Sequence, residues 1–342
     1  MNKIKNTLFS NKPVTIDENS LIMALESSCD ETACAIVKGG REVLANVVAS
    51  QIKTHEEYGG VIPEIAARMH LEAVNVVVDE AFKQANVKGE DITAFAGTVG
   101  PGLVGCLLVG MNAAKSLALA YDKPFIGINH LNAHLAANFI DTDLEPPFIA
   151  LLVSGGHTQI IEMKSYSDIE IIGETIDDAV GEAYDKVARL IGLPYPGGPK
   201  LDKMAQEGNP FAFKLPEGKV DGYNFSFSGL KTAVLRLVKS FDGKDLPTAD
   251  ICASFQECVS STLYKKVKRA AEERGYKQVV LAGGVAANSE IRKKIFSLEN
   301  EGYKVFAPQM KYCTDNASMV ASAALFFENT FDNVDVEVFS RV

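Results

Sequence analysis

The sequence predicts a duplicated α/β fold with a cleft between its two halves. The chain of 342 residues is long enough for two domains of roughly 150 residues each. Three strand-like segments followed by alternating helical and strand patterns occur in residues 21–145, and the same order returns in residues 146–314. No Gly/Ser-rich linker separates the two stretches. Two βββαβα units indicate an N-terminal and a C-terminal lobe of α/β type.

Apolar patterns in the first half of the sequence predict its strands and helices in order. Short apolar runs bounded by turn residues predict strands at 21–25, 33–37 and 42–50. Apolar residues at helical spacing predict a long helix from Pro63 to Gln84. The remaining patterns predict, in order, a strand at 91–99, a helix at 103–120, a short strand at 124–128 and a helix around two histidines.

The second half repeats this order. Residues 148–175 predict three strands, and "KQVVLAGG" predicts a strand that runs into a glycine turn, as "ITAFAGTVGPG" does in the first half. A last helix at about 315–328 is expected to pack back on the first half, whereas residues 1–20 form an N-terminal extension. The other predicted helices lie near 180–191, 199–207, 228–239 and 250–274.

Composition indicates a reduced, cytoplasmic globular protein. The chain is 47% hydrophobic and 23% charged, an ordinary balance for a folded domain. Residues 1–20 are polar and lack the apolar segment of a secretory signal. The six cysteines include no CxxC pair, so they predict neither a disulfide framework nor a zinc ribbon. Asn112 and Lys115 interrupt the most apolar stretch, at 102–121, which favours a buried helix over a membrane span.

Net charge sets a limit on nucleic-acid binding. A formal charge of −10 argues against unaided, non-specific binding, because neutralising phosphates requires an excess of Lys and Arg. The densest basic stretch is "YKKVKRAAEERGYK" at 264–277, which is more simply interpreted as a solvated helix face.

Five glycine-bearing turns lie at predicted strand or helix ends. Glycine lets backbone approach a ligand closely, and a glycine turn that opens a helix directs free N–H groups toward an anion. One such turn is explained equally well by tight turn geometry, but equivalent turns in both halves indicate a phosphate-bearing ligand between the lobes. No GxGxxG after the first strand and no GxxxxGK[ST] is present, so neither a Rossmann fold nor a P-loop is supported. The turns are "YGGVIPE", "GPGLVG", "SGGHT", "PGGPKLD" and "AGGVAAN".

Two histidines four residues apart are candidate metal ligands. His130 and His134 would share one face of a helix and could bind one cation together. A zinc protease of the HExxH type needs a glutamate after the first histidine, and Leu131 occupies that place. Asp315, at the start of the last predicted helix, is either an N-cap or a third ligand. Two histidines and one aspartate with open positions fit Fe2+, with Zn2+ next. No Ser–His or Cys–His nucleophile is evident.

Eight long motifs, in order over about residues 21–328, give the chain a specific family resemblance. It resembles the bacterial TsaD branch of the TsaD/Kae family. The motifs are "ALESSCDETACAIV", "HEEYGGVIPEIAARMH", "NHLNAHLAAN", "LLVSGGHTQ", "GETIDDAVGEAYDKVARLIGLPYPGGPKLDKMA", "NFSFSGLKTA", "LAGGVAANSEIR" and "CTDNASMVA".

The resemblance implies duplicated RNase H-like lobes of the actin/Hsp70/hexokinase (ASKHA) type. It also implies a threonylcarbamoyltransferase, an acyltransferase of tRNA modification. Such an enzyme moves the threonylcarbamoyl group from threonylcarbamoyl-AMP to N6 of adenosine 37 in tRNAs reading ANN codons, which forms t6A. His130, His134 and Asp315 match the metal ligands of the family, with one Fe2+ per subunit and Zn2+ as the second choice.

The resemblance further implies residues for the donor. Asp30 and Glu31 occupy the first β-turn, which faces the phosphates in folds of this type, so either could tune the reaction; a simple turn role for Asp30 is the alternative. Without the resemblance, the polar residues of the donor site would be interpreted as helix caps and solvated surface. The phosphate loop comprises Leu152, Val153, Ser154, Gly155 and Gly156, and the nucleoside part is held by Asp185, Gly198, Asp202 and Asn288.

Partners are implied in the same way. A TsaB-type paralogue would dock on the N-terminal lobe, where the helix from Pro63 to Gln84 offers an apolar face or simply packs on the sheet. A TsaE-type ATPase would join, and a threonylcarbamoyl-AMP synthase would act upstream. We expect the partners to complete the site for tRNA. The alternatives are an ATP-dependent kinase or ATPase of the same fold, and a nucleotide-gated interaction module, neither of which needs the two histidines and Asp315.

Overall fold

The computed structural model of the chain describes residues 14–242, 245–327 and 335–340. Residues 1–13 of the expected N-terminal extension, and residue 328 at the end of the last expected helix, lie outside the described residues. The described chain divides into two compact units. One contains the residues up to Leu144 together with those from Asp315 onward, and the other is Glu145–Thr314.

The first unit contains a five-stranded mixed sheet in the order β3-β2-β1-β4-β5. Strand β2 runs antiparallel to both neighbours, whereas β1, β4 and β5 are parallel to one another. The elements are β1 (Leu21–Glu26), β2 (Glu31–Lys38), β3 (Glu42–Ser50), α1 (Ile52–Tyr58), α2 (Pro63–Ala85), β4 (Ala94–Gly100), α3 (Val104–Ala120), β5 (Phe125–Asn129) and α4 (His130–Ala136).

The second unit repeats this topology. Its sheet has the order β8-β7-β6-β9-β10, so each sheet places its strands in the order third, second, first, fourth, fifth. The long helix α8 buries Phe255, Val259 and Leu263 against this sheet. The elements are β6 (Phe148–Val153), β7 (Thr158–Ser165), β8 (Asp168–Glu174), α5 (Val180–Leu190), α6 (Gly197–Ala205), α7 (Ser228–Ser240), α8 (Thr248–Arg274), β9 (Gln278–Ala282), α9 (Ser289–Phe296) and β10 (Lys304–Phe306).

The last helix returns to the first unit. Helix α10 (Ala317–Phe326) packs on β1, β2 and α4. Ala33 and Ala35 of β2 cluster with Ala317, and these small side chains allow the helix to approach the sheet closely. Cys34 and Ile36, which alternate with them along β2, join the core formed with α2 and α3. The first sheet is therefore covered on both faces, as expected for strands whose residues are almost all buried.

The repeated strand order confirms the predicted duplicated α/β class, but three short elements were not predicted. Helices α1 and α9 and the three-residue β10 are too short to show a clear apolar period. Helix α6 begins at Gly197, two residues before the predicted start at 199, because a carboxylate from α5 binds its first N–H groups. Among the described residues, no helix has both the length and the apolar character needed to cross a bilayer.

Gly283 allows β6 and the turn after β9 to approach each other closely. Its φ is 89° and its ψ is 167°, a conformation that is essentially restricted to glycine. A Cβ atom there would lie 2.3 Å from the carbonyl oxygen of Val153. We predict that Gly283→Ala destabilises the chain by about 1–3 kcal/mol or more, measured as a lower midpoint in urea denaturation.

Gly284→Ala is the matched control for this prediction. A Cβ atom at Gly284 meets nothing within 4 Å, so the same added methyl group should leave the midpoint nearly unchanged. Equal midpoints for the two variants would contradict the close approach.

Candidate functional site

Helix α4 presents two imidazoles on one face at the carboxyl end of β5. Asn129 caps the helix, since its side-chain oxygen accepts hydrogen bonds from the N–H groups of Leu131 and Asn132 at 2.9 and 3.3 Å. His130 is the first residue of the helix and His134 lies one turn later. The two ring centroids are 4.6 Å apart, so both rings reach the same point in space.

Asp315 lies against both imidazoles. Its Oδ1 is 3.2 Å from Nε2 of His134 and 3.6 Å from Nε2 of His130. The N-cap of α10 is the next residue, Asn316, whose side chain accepts from the N–H of Met319 at 3.2 Å. Asn316 therefore caps α10, and Asp315 is not the N-cap residue of this helix.

A buried carboxylate that the sequence analysis missed lies behind His130. Glu26, the last residue of β1, is 1% exposed, and its Oε2 is 3.5 Å from Nδ1 of His130. Its carboxylate also accepts from the N–H of Ser28 at 2.7 Å and from the hydroxyl of Thr98. A carboxylate on the far nitrogen of a metal-binding histidine fixes the orientation of the ring and raises its basicity. Glu26 therefore orients His130 toward Asp315.

Ser28 corrects one expectation from the sequence. Its hydroxyl lies 3.3 Å from Nδ1 of His130, so a Ser–His pair does exist. Ser28 is only 3% exposed, and it shares the nitrogen that Glu26 also approaches. The hydroxyl thus acts as a further support for the ring rather than as an accessible nucleophile.

The charges of this cluster depend on one another. Burial opposes the charged form of Asp315, but attraction to His130 and His134 lowers the pKa of Asp315 to about 2. Burial likewise opposes protonation of His130, yet Asp315 and Glu26 together raise its pKa to about 9. Burial would raise the pKa of Glu26, and the attraction of His130 outweighs burial and lowers that pKa. The arrangement favours positive charge between two carboxylates.

The donor set fits a divalent metal ion. Each of His130, His134 and Asp315 offers a ligand atom, and these atoms lie within 4.8 Å of one another. Atoms that share a metal at about 2.1 Å are roughly 3–3.5 Å apart, close to the two His–Asp separations. The nitrogens that face Oδ1 of Asp315 are Nε2 of His130 and Nε2 of His134, so the three candidate ligand atoms converge on one point. Two nitrogens and one carboxylate with open positions are typical of iron(II) sites.

Asp30 and Glu31 lie beside this cluster. Asp30 is in the turn after β1, and its carbonyl oxygen accepts from the N–H of Gln51, while Glu31 begins β2 and accepts from the hydroxyl of Ser50 at 3.3 Å. Burial, followed by repulsion from Asp315 and Asp30, raises the pKa of Glu31 to about 9. In the metal-free chain these effects favour a protonated Glu31, which can donate a hydrogen bond.

The second unit contains a pocket of about 410 Å³. It opens between the loop after β6, helices α5 and α6, and the turn after β9. Five of the residues expected around the donor line this pocket, namely Gly155, Asp185, Gly198, Asp202 and Asn288. The other lining residues are Gly181, Tyr184, Pro196, Pro199, Gly284, Val285, Ala287, Met310 and Thr314.

The expected phosphate loop divides into a buried and an open part. Leu152 and Val153 end β6 with fully buried side chains and do not line the pocket. Ser154 closes the turn, because its hydroxyl accepts from the N–H of His157 at 3.0 Å. Gly155 and Gly156 are exposed, and a Cβ atom on either would meet nothing within 4 Å. Backbone approach to a ligand is therefore available only from Ser154 onward.

Two carboxylates around the pocket also act as helix caps. Oδ1 of Asp185 accepts from the N–H groups of Gly197 and Gly198 at 2.9 and 3.0 Å, which fixes the start of α6. Asp202 accepts from the N–H of Ser289 at 3.0 Å and from its hydroxyl at 2.6 Å, at the start of α9. The capping role that the sequence left open is therefore present. A carboxylate has two oxygens with about four acceptor sites in all, so Asp185 and Asp202 can each still accept a hydrogen bond from a ligand hydroxyl.

Gln256 is a second residue that the sequence analysis missed. It is buried in the middle of α8, donates to Oδ1 of Asp202 at 2.9 Å and accepts from the side chain of Asn288 at 2.9 Å. The hydroxyl of Tyr184 also approaches its side-chain oxygen, at 3.4 Å. This network holds the polar groups of the pocket in fixed positions. A single glutamine within a helical pattern carries no sequence signal for such a role.

Comparison with known sequences places the chain in a large group of relatives. The family model described as TsaD, tRNA N6-adenosine threonylcarbamoyltransferase, matches residues 42–322. A protein of Picosynechococcus sp. named tRNA N6-adenosine threonylcarbamoyltransferase is 50% identical over 336 residues, covering 94% of each chain. A Clostridium perfringens protein of the same name is 52% identical over 312 residues, covering 90% of this chain and 92% of its own.

Solved structures show the same fold at low sequence identity. Full-length HypF in its phosphate- and nucleotide-bound form aligns with a TM-score of 0.62 and 16% identity, over 92% of this chain and 47% of HypF. Component A of the (R)-2-hydroxyglutaryl-CoA dehydratase of Acidaminococcus fermentans aligns with a TM-score of 0.51 and 16% identity, over 90% and 96% of the two chains. These likenesses concern the fold alone, and they confirm the predicted ASKHA class.

The three proposed ligands predict different losses of bound metal for different variants. Losing a ligand removes a metal bond, so His130→Ala or His134→Ala should remove most of the bound iron or zinc, and the double variant all of it. Glu26→Gln keeps all three ligands and loses only the orienting charge, so it should weaken metal affinity by about 10–100-fold. Metal content is measured by mass spectrometry, and affinity by competition with a chelator.

His157→Ala is the control for these variants, because it removes an imidazole that is not among the three proposed ligands. Its metal content should equal that of the unmodified chain. Full occupancy in the double variant would overturn the ligand assignment.

A second prediction concerns ligand binding in the pocket of the second unit. Gly155→Val adds a side chain where no protein atom lies within 4 Å, so the fold should persist while a ligand is excluded from the loop. We expect at least about tenfold weaker binding of AMP in calorimetry. Gly229→Val is the matched control, because Gly229 is equally open but does not line the pocket. Equal AMP affinity in both variants would show that the loop has no part in binding.

Proposed function

The chain belongs to the TsaD family, and we propose that it is a tRNA N6-adenosine threonylcarbamoyltransferase. It moves the threonylcarbamoyl group from threonylcarbamoyl-AMP to N6 of adenosine 37 in tRNAs that read ANN codons. The observation that carries the proposal is the convergence of His130, His134 and Asp315, each from a segment with a family motif. The match of the family model over residues 42–322 supports it.

The chemistry requires positioning more than a covalent intermediate. The donor is a mixed carbamic–phosphoric anhydride, and the acceptor is an exocyclic amine whose lone pair is delocalised into the ring. Holding the two in reactive geometry and stabilising the departing phosphate are the main tasks. We assign the adenosine part of the donor to the pocket with Asp185 and Asp202, and the phosphate to the N–H groups of Gly155 and Gly156, because the N–H of Ser154 already donates to the carbonyl oxygen of His157.

The cysteines support direct transfer to the amine. All six are free, and burial raises the pKa of every one of their thiols above its ordinary value. A protonated thiol is a poor nucleophile, so an acyl-cysteine intermediate is disfavoured. With Ser28 buried behind His130, no candidate for an acyl-serine remains in this cluster either.

The metal-binding residues we assign are His130, His134 and Asp315, with Glu26 and Ser28 orienting His130. Ferrous iron is the ion that these donors fit best, with zinc second. When bound, it would supply Lewis-acid stabilisation of negative charge on an oxygen of the donor. Protease chemistry is not supported, because Leu131 follows His130 where a general base would be required.

Partner proteins are part of the proposal. Helix α2 buries one stripe that includes Ala66, Val74 and Val77, while Leu71 and Val76 remain 63% and 66% exposed. The helix thus packs on the sheet and still offers apolar surface. We propose that a TsaB-type paralogue docks there, and that a TsaE-type ATPase joins the assembly. A threonylcarbamoyl-AMP synthase supplies the donor.

The direct test is reconstitution. The chain is incubated with its proposed partners, the synthase, threonine, bicarbonate, ATP and tRNA, and the digested tRNA is examined by mass spectrometry. We expect threonylcarbamoyladenosine from the complete set, and at least about 100-fold less from Asp315→Ala or when the paralogue is omitted.

Two outcomes would contradict this proposal. Absence of product with the complete set would reject the activity. Full turnover by the isolated chain, supplied only with threonylcarbamoyl-AMP and tRNA, would reject partner dependence.

A further inference from the structure

Helix α7 is a cationic element in an acidic chain. Its thirteen residues, Ser228–Ser240, include Lys231, Arg236 and Lys239 and no Asp or Glu, although the whole chain carries a formal charge of −10. Thr232, Arg236 and Lys239 are exposed, and their spacing of four and three residues places them along one face of the helix. Two cations, Arg236 and Lys239, and the hydroxyl of Thr232 therefore lie on the solvent-facing side of α7.

A groove lined by further cations lies beside α7. It has a volume of about 320 Å³ and is lined from α7 by Lys231, Thr232 and Leu235. Helix α5 supplies the other wall through Lys186, Arg189 and Leu190. The lining is thus three cations, one hydroxyl and two apolar side chains, with no acidic residue among them.

Acidic residues at the edge of the groove hold two of the amines in place. The carboxylate of Asp178 is 2.7 Å from Nζ of Lys186 and 3.4 Å from Nζ of Lys231, and Glu182 is 2.8 Å from Nζ of Lys186. Lys186 and Lys231 together lower the pKa of Asp178, although burial opposes this. Asp185, one turn before Arg189 on α5, is a third acid that interacts with these cations. Five cations on the two helices thus face three acids, so the surface keeps a positive excess.

The segment with the densest basic sequence has no such excess. On α8, Lys265 pairs with Glu217, Lys268 with Glu301, and Arg269 with Glu273 at 2.7 Å. These acids come from distant parts of the chain as well as from the next turn of the helix. The basic stretch at 264–277 is therefore neutralised locally, as the solvated-face interpretation expected, and the positive surface lies on α5 and α7 instead.

We propose that the α5/α7 groove, lined by Lys186, Arg189 and Lys231, binds the phosphate backbone of the tRNA substrate together with the exposed Arg236 and Lys239 of α7. The inference rests on the proposed function, from which it takes the identity of the polyanion. An acidic protein repels a polyanion through its overall field, so binding must come from a local surface with excess Lys and Arg. The surface formed by α5 and α7 has that excess, whereas the basic segment of α8 lacks it.

The groove suits backbone contacts and not base recognition. Lysine and arginine side chains on two adjacent helices present point charges and guanidinium forks to phosphate oxygens. Such contacts position a nucleic acid without reading its sequence. The groove therefore contributes affinity and orientation, and it leaves the choice of adenosine to other parts of the assembly.

The test compares two variants that remove the same charge from the same unit. One, the groove variant, is Arg189→Gln/Arg236→Gln/Lys239→Gln on α5 and α7, and the control is Lys265→Gln/Lys268→Gln/Arg269→Gln on α8. Both change the formal charge from −10 to −13, so the overall field is the same. Binding of an unmodified tRNA transcript to the chain assembled with its partners is measured as a function of salt. Circular dichroism checks the fold of each variant.

The groove variant should bind tRNA at least about tenfold more weakly at 0.15 M salt, and its log–log salt slope should fall by about 2, close to 0.7–0.9 per lost phosphate contact. The α8 control should stay within about twofold of the unmodified assembly. Equal losses in the two variants, or an unchanged groove variant, would overturn the proposal. Failure of the folded groove variant to assemble with its partners would also overturn it, because the surface would then be a protein interface.

Product formation separates this proposal from the proposed function. If the unmodified assembly makes threonylcarbamoyladenosine and the groove variant binds tRNA normally, the groove assignment is wrong and the function stands. If the unmodified assembly makes no product but binds tRNA through the groove, the function is wrong and the groove assignment stands.

Discussion

The candidate site in the first unit depends on one imidazole held between the buried carboxylate of Glu26 and the half-buried carboxylate of Asp315. Nδ1 of His130 faces Glu26 and its Nε2 faces Asp315, so both carboxylates act on the charge of a single ring. Without a positive charge between them, these two carboxylates would repel each other. The metal ion that we propose at the Nε2 side would supply that charge. Each segment that ends at this point must therefore be fixed in place, and each is: β1 by its sheet, α4 by the Asn129 cap and α10 by the Asn316 cap.

Topology explains why both sites form where they do. In each sheet the first, fourth and fifth strands are parallel, and their carboxyl ends lie at one edge. In the first unit this edge carries Glu26 and the start of α4, and in the second it carries the turn after β6 and the glycine turn after β9. Ligands of open α/β sheets bind outside the carboxyl ends of the strands. The duplicated fold thus offers two equivalent edges, one of which carries the proposed metal ligands and the other the pocket.

Much of this organisation was readable in the sequence because it is encoded locally. The apolar runs of the strands, the Pro63 start of α2 and the four-residue spacing of the histidines are all local patterns. Glu26 and Gln256 were missed because a single polar residue at the end of a strand or inside a helix shows no pattern. The neutralisation of the basic segment of α8 could not be predicted from the sequence, because Glu217 and Glu301 are distant in sequence and meet the segment only in the folded chain.

The central claim is that His130, His134 and Asp315 jointly hold one metal ion. It is tested most directly by growing crystals of the chain with Fe2+ under anaerobic conditions and recording anomalous diffraction at the iron edge. We expect one strong peak within bonding distance, about 2.0–2.2 Å, of Nε2 of His130, Nε2 of His134 and a carboxylate oxygen of Asp315. A peak bound elsewhere on the chain, with none at these three side chains, would contradict it.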